Sequence, residues 1–118
     1  MQTKLQTGTP ALAAGRYLRN STLINQSYLD ELTIIGAGGV GSALVMNAAI
    51  MGFKRIHVWD FDNLEPHNLS TTTYPEKYLG LPKVEAAKNQ AELYNKSVKI
   101  FAHNEEWVQG KYLSPAVM

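Results

Sequence analysis

The chain has 118 residues, 45% of them hydrophobic and 18% charged, with a net charge of +1. That supplies apolar material for one core, at the small end of the domain range. Its charges form no basic stripe of the kind nucleic acid needs, and the absence of cysteine removes disulfides, thiolate zinc sites and a cysteine nucleophile. Residues 11–14 are apolar but shorter than a signal core of roughly 7–15 residues. Residues 43–53 are interrupted by Asn47 and fall short of the ~20 that a membrane span requires. A soluble, cytoplasmic chain is expected, with neither nucleic acid nor membrane as partner.

Residues 1–15, with Thr7-Gly8-Thr9-Pro10, read as a loose arm. Residues 16–31 carry Tyr17, Leu18, Leu23, Ile24, Tyr28 and Leu29 at roughly helical spacing, broken at Asn20-Ser21-Thr22, and predict a helical arm. Residues 32–35 are a short β-rich run that ends at glycines, a buried strand. Residues 40–53 are apolar on nearly every face and predict a helix packed on a sheet, with Gly52 as its C-cap and Met46 and Met51 filling the core. Residues 55–60 form a second strand, with Trp59 in or beside the sheet. Strand, helix and strand make one βαβ unit, in which the strands run parallel.

Residues 61–81 are irregular, with one helical turn expected at 75–79. Pro82 opens another helix, because proline is tolerated at the first helical position. Along it Val84, Ala87, Ala91 and Tyr94 share one stripe. Residues 98–102 predict a third strand, and 104–118 are a tail without assignment. The fold class is α/β: a Rossmann-like three-layer fold with a parallel sheet, incomplete, comprising the βαβ unit plus one further helix and strand. The whole of 1–118 reads as a single partial nucleotide-binding domain with its core at 32–103.

Between the first strand and the first helix lies Gly36-Ala37-Gly38-Gly39-Val40-Gly41. Glycines allow a tight turn and close approach of a phosphate, and the helix N-terminus offers free N–H groups and a positive dipole end. The motif gains its force from this strand-turn-helix setting; alone it would be a glycine-rich structural turn. Gly36, Gly38, Gly39 and Gly41 are therefore candidate nucleotide contacts. Asp60 ends the second strand at about the ~20-residue spacing expected of a carboxylate that takes the ribose hydroxyls. Asp62 reads as a cap for the following turn. His57, His67 and His103 lack metal-ligand spacing, and Trp107 is either a partner contact or an edge cover.

Taken together, the glycine loop, Asp60-Phe61-Asp62, Asn68-Leu69 and Gly80-Leu81-Pro82-Lys83-Val84-Glu85 resemble the ThiF/MoeB superfamily in order and spacing. Arg16-Tyr17-Leu18-Arg19 resembles that family's opening motif. The resemblance runs over roughly residues 16–102. It implies an ATP-dependent adenylyltransferase, like the adenylating domain of ubiquitin-activating enzymes. Such enzymes activate the C-terminal carboxylate of a ubiquitin-like or sulfur-carrier protein, releasing pyrophosphate. It further implies that the glycine loop holds ATP and Asp60 the ribose. Asn68 and Lys83 would contact phosphates, and Arg19 would reach the neighbouring subunit's triphosphate in a homodimer. Fixed cations and amide donors suit a reaction that builds negative charge on phosphates.

Three departures qualify that resemblance. Thr71 stands where the family usually has an arginine. The aspartate that would hold Mg2+ has no recognisable counterpart before Met118, and cysteines for thioester transfer or zinc are absent. A piece of a larger protein, or a minimal relative inactive by itself, is the expectation. Two other functions stay open. The loop and Asp60 equally satisfy the fingerprint of an NAD(P)-dependent oxidoreductase, against which Asn68 and Lys83 argue. A non-catalytic interaction module retaining the fold is the third reading.

Overall fold

In a computed structural model of the chain, residues 29–109 are described. Three strands, β1 (Glu31–Ile35), β2 (Arg55–Trp59) and β3 (Lys99–His103), form one sheet in the order β1-β2-β3. Helix α1 (Gly39–Met51) joins β1 to β2, and α2 (Lys83–Tyr94) precedes β3. Both strand pairs are parallel, as the crossover pattern predicts, and Leu32, Ile56 and Ile100 stand in one row across the sheet.

Side chains alternate across a strand, so this register sends Leu32, Ile34, Ile56, Val58 and Ile100 to a single face. There they meet Val45, Ala48 and Ala49 of α1 and Val84, Ala87 and Ala91 of α2 in the hydrophobic core. Alanine on both helices lets them lie close to the sheet and to each other. Asn95 fastens the two helix ends, donating its side-chain amide to the Ala49 carbonyl at 2.8 Å. The described residues thus provide two of the three expected layers. The opposite sheet face carries Thr33, His57, Trp59, Phe101 and His103.

Gly52 ends α1 in the left-handed conformation and donates its N–H to Ala48, as its position predicted. The helix is not buried all round: Val40 is 76% exposed, Ile50 43%, and Met51, expected in the core, 36%. The stripe on α2 ends at Ala91, because Tyr94 is about half exposed. The connection between β2 and α2 is firmer than its composition suggested. It holds two 3-10 turns, Pro66–Asn68 and Glu76–Tyr78, and it places Leu64, Tyr74 and Tyr78 in the core. Of the helical arm expected at 16–31, residues 16–28, with Arg16 and Arg19, lie outside the described residues, whereas Leu29 and Asp30 carry no helix and Glu31 opens β1. Residues 1–15 and, of the tail at 104–118, those from 110 also lie outside.

Candidate functional site

The glycine loop leaves the C-terminal end of β1, and Gly36 there takes φ of 98°, a conformation that disfavours any side chain. Gly36 donates its N–H to the Trp59 carbonyl at 2.7 Å, which ties the loop to the end of β2. The other glycines have distinct reasons. A Cβ on Gly41 would strike the Gly36 carbonyl, and one on Gly39 would sit 2.7 Å from the Thr71 carbonyl. At Gly38 a Cβ would meet no protein atom within 4 Å. Packing does not require glycine at that point.

Asp60 is fixed by the backbone around it. One carboxylate oxygen accepts the Ala37 N–H at 2.8 Å and the other the Asp62 N–H at 2.9 Å. Each oxygen keeps lone-pair capacity for another donor. Tyr74 completes the clamp by donating its hydroxyl to the Ala37 carbonyl at 2.7 Å. Burial first, and the nearby Asp60 charge second, push the phenol's pKa far up, so it stays a donor throughout the physiological range. Ser42 links loop and connection, donating to the Gly39 carbonyl at 2.9 Å and accepting the Thr73 N–H at 3.2 Å. Tyr74 and Ser42 went unnoticed in the sequence, since neither belongs to a motif and only folding brings Tyr74 to the loop.

Two cavities open here and share Asp62. The first, about 300 Å³, has Gly36, Asp60 and Phe61 on one side and Glu105, Glu106 and Trp107 on the other. Trp107 thus joins the rim of the loop pocket, and its buried indole N–H has no hydrogen-bond partner among the described residues. The second cavity, about 210 Å³, is lined by Asp62, Asn63, Glu65, His67, Asn68 and Lys83. Asn68 and Lys83 come together because the chain doubles back: Leu64 donates to Leu81 at 2.8 Å, and Gly80 to Leu64 at 2.9 Å. Lys83 has a largely covered side chain and holds Asp62 in a long ion pair of 4.0 Å. Asp62 is thus a partner of Lys83 and not the turn cap that the sequence suggested. Asn68 spends its side-chain oxygen on the Glu65 N–H at 2.9 Å, and no partner takes up its NH2 group among the described residues. Thr71, in the place of the family arginine, lies against Gly39 at the loop.

A further polar cluster lies on the sheet face away from the helices. Glu31 meets His57 at 2.8 Å, and His57 meets His103 at 3.0 Å, a chain across all three strands. His103 stacks on Trp59 with ring centroids 3.9 Å apart. The sequence hid this cluster, because its members come together only through strand register.

The comparisons with known proteins agree with this geometry. SUMO-activating enzyme subunit 2 of Dictyostelium discoideum is 32% identical over 95 residues, 75% of this chain and 14% of that protein. Adenylyltransferase and sulfurtransferase MOCS3-1 of Zea mays is 32% identical over 76 residues, 64% of this chain and 16% of that protein. The chain therefore spans only a small part of the curated relatives it matches. Among solved structures, Escherichia coli MccB with ATP superposes with a TM-score of 0.69 at 27% identity, covering 75% of this chain and 30% of that one. Residues 25–115 match the ThiF family, and to that family the chain belongs.

Proposed function

We propose that this chain is the nucleotide-holding part of an ATP-dependent adenylyltransferase, one that activates the C-terminal carboxylate of a ubiquitin-like or sulfur-carrier protein. The observation that carries this reading is the second cavity. Asn68 and Lys83 stand together one step beyond the glycine loop and Asp60, where a triphosphate needs donors and a hydride-transfer cofactor does not. The names of the relatives, and MccB solved with ATP, support the same reading.

In the proposed reaction a carboxylate oxygen bonds to the α-phosphorus, the bond from that phosphorus to the bridging oxygen breaks, and pyrophosphate leaves. Loop amides between Gly36 and Gly41, with the N-terminus of α1, would hold the phosphates. Asp60 would take the ribose hydroxyls on its remaining lone pairs. The NH2 of Asn68 and the ammonium of Lys83 would offset the charge that develops on the departing pyrophosphate. Mg2+ would arrive bound to the phosphates, and it commonly needs only one or two protein carboxylates. Asp62 and Glu65 line the cavity and could supply them, although no three acids or histidines gather into a metal-holding group among the described residues.

A homodimer in the cytoplasm is part of the proposal. The exposed apolar positions Val40, Ile50 and Met51 on α1 suit a symmetric contact, through which Arg19 would reach the neighbouring subunit's triphosphate. Thr71 withholds a cation beside the loop, so the chain by itself is expected to bind nucleotide without detectable turnover. Calorimetric titration with ATP and with NAD tests the assignment, and NAD binding more tightly than ATP would overturn it. Carrier-dependent ATP–pyrophosphate exchange by residues 1–118 alone would overturn the expectation of inactivity.

A further inference from the structure

The free edge of β3 has the features of a docking site for another chain. Among the described residues β3 pairs only with β2. The Lys99 N–H and the His103 carbonyl turn toward β2, where they bond Lys54 and Asp60. Backbone groups of alternate residues point to alternate sides of a strand, so Ile100 and Ala102 direct theirs outward. Beside this edge runs a groove of about 570 Å³, larger than either cavity of the nucleotide site. Lys88 and Glu92 of α2 form one wall, and Lys96, Lys99 and Phe101 flank the strand. Three cations face a single carboxylate, and none of the three is ion-paired among the described residues.

Edge lysines ordinarily discourage strand pairing, and they do so by repelling strands of like charge. A second copy of β3 would set Lys96 and Lys99 against lysines. Residues 1–28 are no better suited, containing Lys4, Arg16 and Arg19 and no acid, nor are residues 110–118, which contain Lys111 and no acid. Charge therefore selects an acidic strand. We propose that the β3 edge receives an extended acidic segment of a partner protein. That segment adds a fourth strand through the outward backbone groups of Ile100 and Ala102, and its carboxylates meet Lys96 and Lys99. Main-chain pairing supplies the affinity and the charges supply the selection. The site is separate from the nucleotide cavities and stands whether or not ATP is the ligand.

The test uses the full chain and a fluorescein-labelled peptide of about seven alternating valines and glutamates, read by anisotropy at low salt. Saturable binding is expected, weakened about tenfold or more by Lys96→Glu with Lys99→Glu, and unchanged by Lys77→Glu elsewhere on the surface. N-methylation of alternate peptide amides, which removes the donors but keeps the charge, should weaken binding about as much. Undetectable binding would overturn the proposal. So would equal affinity for the N-methylated peptide or for a single-stranded RNA homopolymer, since either would reduce the groove to a patch of charge. If the double variant loses its fold by circular dichroism, the N-methylation comparison on the parent chain decides alone.

Discussion

Tyr74 donates its phenolic hydroxyl to the carbonyl of Ala37 at 2.7 Å, across a separation of 37 residues. The N–H of the same alanine goes to Asp60 at 2.8 Å. The second residue of the glycine loop is therefore held on both its polar groups by side chains from elsewhere.

Tyr74→Phe keeps the ring in the core and leaves the Ala37 carbonyl without its partner. An unsatisfied buried acceptor costs ~1–3 kcal/mol. The unfolding free energy should fall by that amount, read as a lower urea midpoint at an unchanged m-value, and ATP affinity should fall with it. An unaltered midpoint would show that the hydroxyl contributes nothing to the loop.

Gly38 and Gly41 should separate binding from folding. Gly38→Val adds atoms where the protein offers no contact. It is expected to leave the thermal midpoint near that of the parent while weakening ATP by about tenfold or more, since ~1.4 kcal/mol is enough for that factor. Gly41→Ala drives a methyl into the Gly36 carbonyl and should cost stability on the scale of overpacking, ~1–3 kcal/mol or more. Parental ATP affinity in Gly38→Val would make the loop purely structural.

Lys83→Met retains most of the buried stem and removes the charge. ATP affinity should drop more than AMP affinity, because the lysine is assigned to phosphates that AMP lacks. Asp60→Ala should weaken ATP more than its dideoxy analogue, over a loss common to both from releasing the Ala37 and Asp62 amides. Equal losses within either pair would move that residue away from its assigned group.

His103 governs an acid-side effect. Burial, then the neighbouring His57, lower its pKa from the ordinary 6.5, while Glu105 pulls the other way. Glu31 lies one step further along the chain, and Arg55 lies 3.8 Å from Glu31. With its folded-state pKa depressed, His103 takes a proton more readily in the unfolded chain. Its effect on stability is therefore absent above about pH 6.5, and stability declines as pH falls from there through the lowered value. Chemical denaturation across this window should show that slope, and His103→Gln should flatten it. A profile indifferent to the substitution would rule the residue out.

Much of this was legible in the sequence for physical reasons. Residues 32–35 and 55–59 are nearly continuous runs of β-formers, and the glycines between strand and helix have conformational requirements that few other contexts impose. Local chemistry announces such elements. It could not announce Tyr74 over Ala37, Ser42 against Thr73, or Glu31–His57–His103, since each depends on register or on a loop's return path. The misplacement of Met51 has another cause. Periodicity marks a helix as apolar all round but does not say which side the sheet will take. Asp62 was misread because a carboxylate before a turn looks like a cap until the lysine that faces it is brought near.

The connection that carries Asn68 also inserts Leu64, Tyr74 and Tyr78 into the same core as the strands. Opening it would expose aromatic surface and would break the Leu64–Leu81 and Gly80–Leu64 hydrogen bonds. The segment that lines the second cavity is therefore expected to open together with the core and not as a separate flap. Binding need not spend its free energy on ordering this segment, and the encounter can proceed on a surface that is already assembled.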